Sequence, residues 1–172
     1  MIPNTQKIIP CLWFDDRCKE AMEFYTSFFP GGKINDIRYY PEDAKNEYLK
    51  NRQGKVLTGS FELAGFHFRT LDGGPVFKPN PSISFILNFD PSKDENATET
   101  VDFFWKKLSE GGKMLMELRE YPFSKKYGWC EDRFGVSWQI IPENIDELLD
   151  TSEAMETMMQ MKKLDIGKLK RI

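Results

Sequence analysis

The strongest constraint on the fold of this chain is that its two halves repeat one pattern. Glu23-Phe24-Tyr25 followed by Gly31-Gly32-Lys33 matches Asp102-Phe103-Phe104 followed by Gly111-Gly112-Lys113, an offset of roughly 79–80 residues. Two amphipathic helices that each happen to precede GGK could produce such a match by coincidence, but the elements around both copies also follow one order. In the first half, residues 8–14 (IIPCLWF) read as a short apolar strand and Asp15-Asp16 as a helix-start signal. Cys18, Ala21, Met22, Tyr25, Phe28 and Phe29 then fall three or four apart on one helical face, which Pro30-Gly31-Gly32 ends. Strands follow at 33–40, 55–63 and 66–71, with a charged loop at 41–54.

The second half restarts at Pro81. Residues 82–89 read as a buried strand, and Asn96 with Glu99 has the form of a capping box. Ala97, Val101, Phe104, Trp105 and Leu108 mark a helix face that Gly111-Gly112 stops, before strands at 113–120, 127–133 and 136–141. The expected architecture is therefore α+β: two βαβββ units, residues 7–74 and 80–142. Residues 143–172 form a tail in which Ile145, Leu148, Leu149, Met155, Met158, Met159 and Leu164 recur at helical intervals. That Met stripe reads as packing, against the core or a partner subunit, because the flexible thioether fills irregular gaps.

Composition narrows the function. At 172 residues the chain can bury one sizeable core without a disulfide or metal staple. A net charge of -3, with no local basic run, argues against nucleic acid as partner. No apolar stretch is long enough for a membrane span, and MIPNTQKIIP lacks the apolar core of an export signal. Cys11, Cys18 and Cys130 have no CxxC spacing, so no disulfide framework or thiolate zinc site is expected and the reducing cytoplasm is the expected compartment. His67 is the chain's one histidine, which excludes a two-imidazole facial triad within one subunit.

Three blocks, CLWFDDRCKEAMEFYTSFFPGGKI, LDGGPVFKPNPSISF and YGWCEDRFGVSWQIIP, with MKKLDIGKL in the tail, carry a resemblance. They are similar to the PhnB-like branch of the vicinal-oxygen-chelate superfamily, the glyoxalase/bleomycin resistance/dioxygenase fold, whose sequences often carry the label 3-demethylubiquinone-9 3-methyltransferase. The resemblance covers residues 7 to 142 and implies one domain built from the two units and the tail, each unit a curved, mostly antiparallel sheet with its helix on the convex side. Superfamily enzymes hold a metal on four inward positions, which the resemblance puts near Pro10, Phe68, Ser82 and Gln139. Pro10 and Phe68 offer no donor, and Ser82 and Gln139 only neutral oxygens, so no metal is expected. Alternation points His67 and Arg69 away from the cup if Phe68 faces into it. The methyltransferase label would require S-adenosylmethionine, usually held by a Gly-rich strand-to-helix turn. Gly31-Gly32, Gly73-Gly74 and Gly111-Gly112 lack a GxGxxG frame, and two of the pairs read as helix C-caps. No cofactor is expected.

Two classes of function remain open at this point. One is metal-independent binding of a small, partly aromatic molecule in a concave sheet, with Trp13, Phe68, Ser82, Trp129 and Gln139 as lining residues. The other is an enzyme acting on a small metabolite, for which Glu131 is the one candidate general base, set against its reading as a solvated edge-strand carboxylate. Asp132-Arg133-Phe134-Gly135 reads as a hairpin turn, with Asp132 closing it and Gly135 at positive φ. Cys11 and Cys130 are expected to be inert buried thiols. Exposed apolar faces on the half-cups and the Met stripe lead to an expected homodimer.

Overall fold

The structure, a computed structural model, describes residues 6–43, 51–89, 96–121 and 124–141. Strand β1 (Cys11–Phe14), helix α1 (Cys18–Thr26) and strands β2 (Lys33–Tyr39), β3 (Val56–Leu63) and β4 (Phe66–Asp72) make one set. Strand β5 (Ser84–Asn88), helix α2 (Ala97–Ser109) and strands β6 (Lys113–Tyr121), β7 (Ser124–Glu131) and β8 (Ser137–Ile141) make the other. Each set forms a four-stranded sheet, in the orders β1-β4-β3-β2 and β5-β8-β7-β6. In each, the first strand pairs parallel with the last and the other pairs are antiparallel. The chain divides into two units, Met1–Pro79 and Asn80–Ile172. This is the α+β fold of repeated βαβββ pattern that the sequence leads one to expect. The tail at 143–172 lies outside the described residues. No helix among the described residues is long and apolar enough to cross a membrane.

The repeated GGK has a separate physical reason at each residue. Gly31 and Gly111 sit at φ 64° and 71°, a left-handed conformation in which a Cβ is strained. At Gly32 a Cβ would fall 2.5 Å from the Thr26 carbonyl oxygen, and at Gly112 2.1 Å from that of Glu131, so both positions require the backbone to pass close by. The lysine then opens the next strand, with Lys33 opposite Glu62 and Lys113 opposite Glu131.

Each helix buries one stripe on its own sheet. Cys18, Ala21, Met22 and Tyr25 are fully buried, at the i, i+3, i+4, i+7 spacing of one face. Tyr25 stacks on Phe61 at 6.0 Å, and Phe61 stacks on Phe68 at 5.1 Å. Met22 fills the space over Gly59, where a Cβ would meet its sulfur at 2.5 Å. In the second unit Ala97, Val101, Phe104 and Leu108 are buried, and Trp105 lies over Gly128 in the same way.

Helix ends depart from the expectation. Helix α1 starts at Cys18, with Arg17 rather than Asp15 or Asp16 at the N-cap position. Its first amides are satisfied from β4, where the buried Asp72 carboxylate accepts from the Arg17 and Cys18 N–H groups at 2.9 and 3.0 Å. Asp16 instead takes φ 65° and pairs with Lys55. The helix stops at Thr26, two to three residues early. There the Thr26 and Ser27 hydroxyls bond back to the carbonyls of Met22 and Phe24. Gly31 therefore turns the chain after the helix rather than capping it. Asn96 occupies the N-cap of α2, but its side chain makes no capping hydrogen bond.

Strand ends and positions also move. Strand β7 ends at Glu131, which places Arg133 in the turn, paired with Glu110. Because β7 lies between β8 and β6, Glu131 is not on an edge strand. The hairpin turn forms as expected, with Gly135 at φ 83° donating to the Asp132 carbonyl at 2.8 Å. Cys130 is buried, but Cys11 is exposed.

Candidate functional site

Residues paired in register share a face, so the contacts made by the helices assign the two sides of each sheet. In the first unit Gly59, Phe61, Phe68 and Thr70 lie under α1. Phe68, 6% exposed, therefore belongs to the core beneath the helix and not to the open face. The alternate residues Cys11, Trp13, Ser60, Glu62, His67, Arg69 and Leu71 take the helix-free face. His67 is buried with its Nε2 3.7 Å from Glu62, which also pairs with Lys33 at 3.1 Å, and its Nδ1 has no hydrogen-bond partner among the described residues. Trp13 is fixed by its indole N–H, which donates to the Gly74 carbonyl at 2.8 Å, and by Phe77 edge-on at 5.0 Å. Its ring lies so close to Gly73 that a Cβ there would be 2.0 Å away. Pro10 precedes β1 and its carbonyl accepts from the Arg69 N–H.

In the second unit Gly128, Cys130, Trp138 and Ile140 pair on the α2 side. Tyr127, Trp129, Glu131, Ser137, Gln139 and Ile141, with Ser84 and Ile86 from β5, take the helix-free face. Tyr121, Tyr127 and Ile141 form a buried apolar cluster there, with Met116 and Trp129 packed against it. Tyr121 and Tyr127 meet edge to face at 5.8 Å. A hydrogen-bonded chain crosses the face. The Tyr127 hydroxyl donates to Gln139 Oε1 at 2.7 Å, and Gln139 Nε2 donates to Ser84 Oγ at 2.6 Å. Beside it the Trp129 indole N–H donates to Ser137 Oγ at 2.8 Å. Burial, with a smaller contribution from neighbouring Tyr121, holds the Tyr127 phenol protonated well above its ordinary range.

Of the residues named from sequence, Trp129 and Gln139 stand opposite each other in register. Ser82 is exposed in the turn before β5, bonded to Asn80, and Ser84 occupies the sheet position two residues on. Glu131 is half-buried at the end of the same face, opposite Ser137. Tyr127, Ser84 and Tyr121 were not singled out in sequence. Tyr127 could have been found as the residue two before Trp129 on an alternating strand.

The donor set does not fit the groups the fold implies. Gln139 and Ser84 are neutral and bonded to each other, and among the described residues no three His, Cys, Asp or Glu side chains gather to hold a metal. For S-adenosylmethionine, the turn from β1 into α1 has no glycine, and the Asp72 carboxylate already occupies that helix N-terminus.

Two four-stranded sheets of one topology, each crossed by a helix on one side and carrying polar and aromatic side chains on the other, define a protein of the vicinal-oxygen-chelate superfamily. Residues 6–141 match the family model described as 3-demethylubiquinone-9 3-methyltransferase, and the chain belongs to that family, the PhnB-like branch of the superfamily. It is 36% identical to a PhnB protein from Bacillus cereus, provisionally described as a 3-demethylubiquinone-9 3-methyltransferase. That match covers 79% of this chain and 98% of the other, with a TM-score of 0.67. The crystal structure of protein PA1353 from Pseudomonas aeruginosa shares the fold at 23% identity, covering 81% and 98% of the two chains with a TM-score of 0.63. No curated protein matches the chain.

Proposed function

We propose that this chain is a metal-independent binding protein that takes a small, partly aromatic molecule on the helix-free face of its second sheet. The observation that carries this reading is the cluster of Tyr121, Tyr127, Trp129, Met116 and Ile141 on the side away from α2, crossed by the Tyr127–Gln139–Ser84 chain. Aromatic surface with a few fixed polar groups is the composition of small-molecule sites. The donor set, neutral and mutually bonded, supports binding without a metal. Trp13, on the open face of the first unit, is a further proposed contact. Residues 7–74, 80–142 and 143–172 are proposed to act as one domain.

The test is native mass spectrometry and elemental analysis of protein purified from its own host without chelator. A bound organic molecule, lost on denaturation, with well under one equivalent of transition metal is the expected result. Trp129→Ala should weaken retention of that molecule about tenfold, the effect of removing one aromatic contact worth roughly 1.4 kcal/mol. A stoichiometric metal would overturn the reading.

A homodimer is part of the same proposal. Phe66 at 61% exposure in the first unit and Ile83 at 76% in the second are large apolar side chains left in water, which a partner copy would cover. Light scattering should give about twice the 20.1 kDa chain mass, and a 20.1 kDa particle at micromolar concentration would contradict it.

A further inference from the structure

The polar groups on the second sheet's helix-free face can be followed hydrogen by hydrogen. Tyr127 is 7% exposed and stays protonated, so its hydroxyl has one hydrogen to give. A phenol is a strong donor and an amide oxygen a strong acceptor, which fixes the Gln139 amide with its oxygen toward Tyr127 and its NH2 toward Ser84. One amide hydrogen is spent on Ser84 Oγ. The Ser84 oxygen therefore receives a hydrogen bond, and its own hydroxyl hydrogen meets no acceptor among the described residues. The second amide hydrogen of Gln139 is likewise unspent. Trp129 has nothing left to offer, because its N–H is held by Ser137.

What this face presents is thus two hydrogen-bond donors on the adjacent parallel strands β5 and β8, both half-buried, beside the rings of Trp129 and Tyr127. Each bond in the chain from Tyr127 through Gln139 polarises the next, which makes Ser84 a better donor than an isolated serine. The charges around these donors are of both signs. Glu131 lies in the same row, opposite Ser137, which is itself opposite Ser84, and Lys113 stands opposite Glu131 on β6, so the row ends in one charge of each sign. Arg119 sits over the Tyr121 ring on β6. That strand is three places from β5, roughly 14 Å at the usual strand spacing.

We propose that the ligand is a neutral aromatic molecule carrying a carbonyl oxygen, a ketone, aldehyde or amide, which accepts hydrogen bonds from the Ser84 hydroxyl and the free amide hydrogen of Gln139. This rests on the binding reading above and adds the functional group that the face selects. A carboxylate in the same place would give up its hydration for two neutral donors, and a group that only donates would meet two donors.

Three probes of one shape separate the terms: 2-acetylnaphthalene, 2-isopropenylnaphthalene, in which a CH2 replaces the carbonyl oxygen, and 2-naphthoate. Their affinities for the full chain are measured by calorimetry and by tryptophan fluorescence. The ketone should bind about thirtyfold tighter than the alkene, the value of two net hydrogen bonds of about 1 kcal/mol each, and tighter than the naphthoate. Ser84→Ala should cut the ketone-to-alkene ratio about fivefold, the share of one of the two hydrogen bonds, and Ser84→Thr, which keeps the hydroxyl, should retain the full preference. The comparison on the unaltered protein needs no variant to fold. Equal binding of ketone and alkene, or tightest binding of the naphthoate, overturns the carbonyl assignment and leaves the aromatic platform standing. A preference for the ketone that is unchanged by Ser84→Ala but lost in Tyr127→Phe would mean the amide is turned the other way, and overturns the assigned donors. Binding of none of the three overturns this proposal, while retention of a molecule from the host, tested separately, decides the broader reading.

Discussion

Between about pH 9 and about pH 12 the folded chain is expected to lose most of its stability, because three of its buried groups ionise far less readily in the folded chain than in the unfolded one. Cys18 and Cys130 are fully buried and Tyr127 is nearly so. Burial pushes the Cys130 thiol from its ordinary 9.0 up to about 12, with the charges of Asp132 and Glu131 adding to it. Burial likewise raises Cys18 well above its ordinary range, and Thr70, which bonds to the thiol, offsets only part of that. Tyr127 is raised in the same direction. A raised pKa on an acid that is neutral when protonated contributes stability that is complete below the unfolded value. As pH rises the unfolded chain holds fewer protons than the folded one, so that contribution is lost. Each group then removes roughly 1.4 kcal/mol per pH unit above its unfolded pKa, and near pH 11 the three together remove on the order of 7 kcal/mol. That rivals the whole stability of an ordinary domain, about 5–15 kcal/mol. Urea midpoints taken at a series of pH values check this. Tyr127→Phe keeps the ring and removes the ionisable group, so its stability should fall less steeply above about pH 10. A stability that stays flat to about pH 11 would sink the account.

The repeat and its strand order were legible because they rest on local chemistry. The left-handed Gly31 and Gly111, the close backbone at Gly32 and Gly112, and the 3.6-residue stripes on both helices all follow from neighbours in sequence. What was not legible depends on contacts across tens of residues. Asp15-Asp16 has the form of a local cap, yet the cap of α1 is Asp72, 54 residues away, because β4 runs beside β1 and ends under the helix. The alternation of FHFRTL was evident in the sequence, with Phe66 and Phe68 on one side and His67 and Arg69 on the other. Which side faces the helix was decided by Phe61, stacked between Tyr25 and Phe68. Sequence alone shows a period of two but not its phase. Gln139 and Trp129 were named separately, one from a family position and one from its ring, and only the register of β7 with β8 brings them together. Ser82 fell two residues short for a related reason: β5 begins at Ser84, and both serines have the same parity along the strand.

Asp132→Ala should be among the most destabilising single substitutions in the second unit, because one buried carboxylate organises the whole β7–β8 turn. Asp132 is 3% exposed; its Oδ1 accepts from the Phe134 and Val136 N–H groups at 2.8 and 3.1 Å, and its Oδ2 from the Trp138 indole at 2.8 Å. Alanine leaves three donors without their acceptor, and Trp138, at 2% exposure, cannot turn to water. At about 1–3 kcal/mol for each stranded donor, the loss should be about 4 kcal/mol or more, read as a drop in the urea midpoint with unchanged slope. Asp132→Asn keeps an oxygen for the turn amides but sets its NH2 against the indole N–H, so it should lie between wild type and alanine. Trp138→Phe removes the indole donor itself. In that background Asp132→Ala should cost about 1–2 kcal/mol less than it does alone, since one of the three stranded donors is gone. If the two substitutions were additive, the indole bond would contribute nothing and the turn amides alone would account for the buried carboxylate.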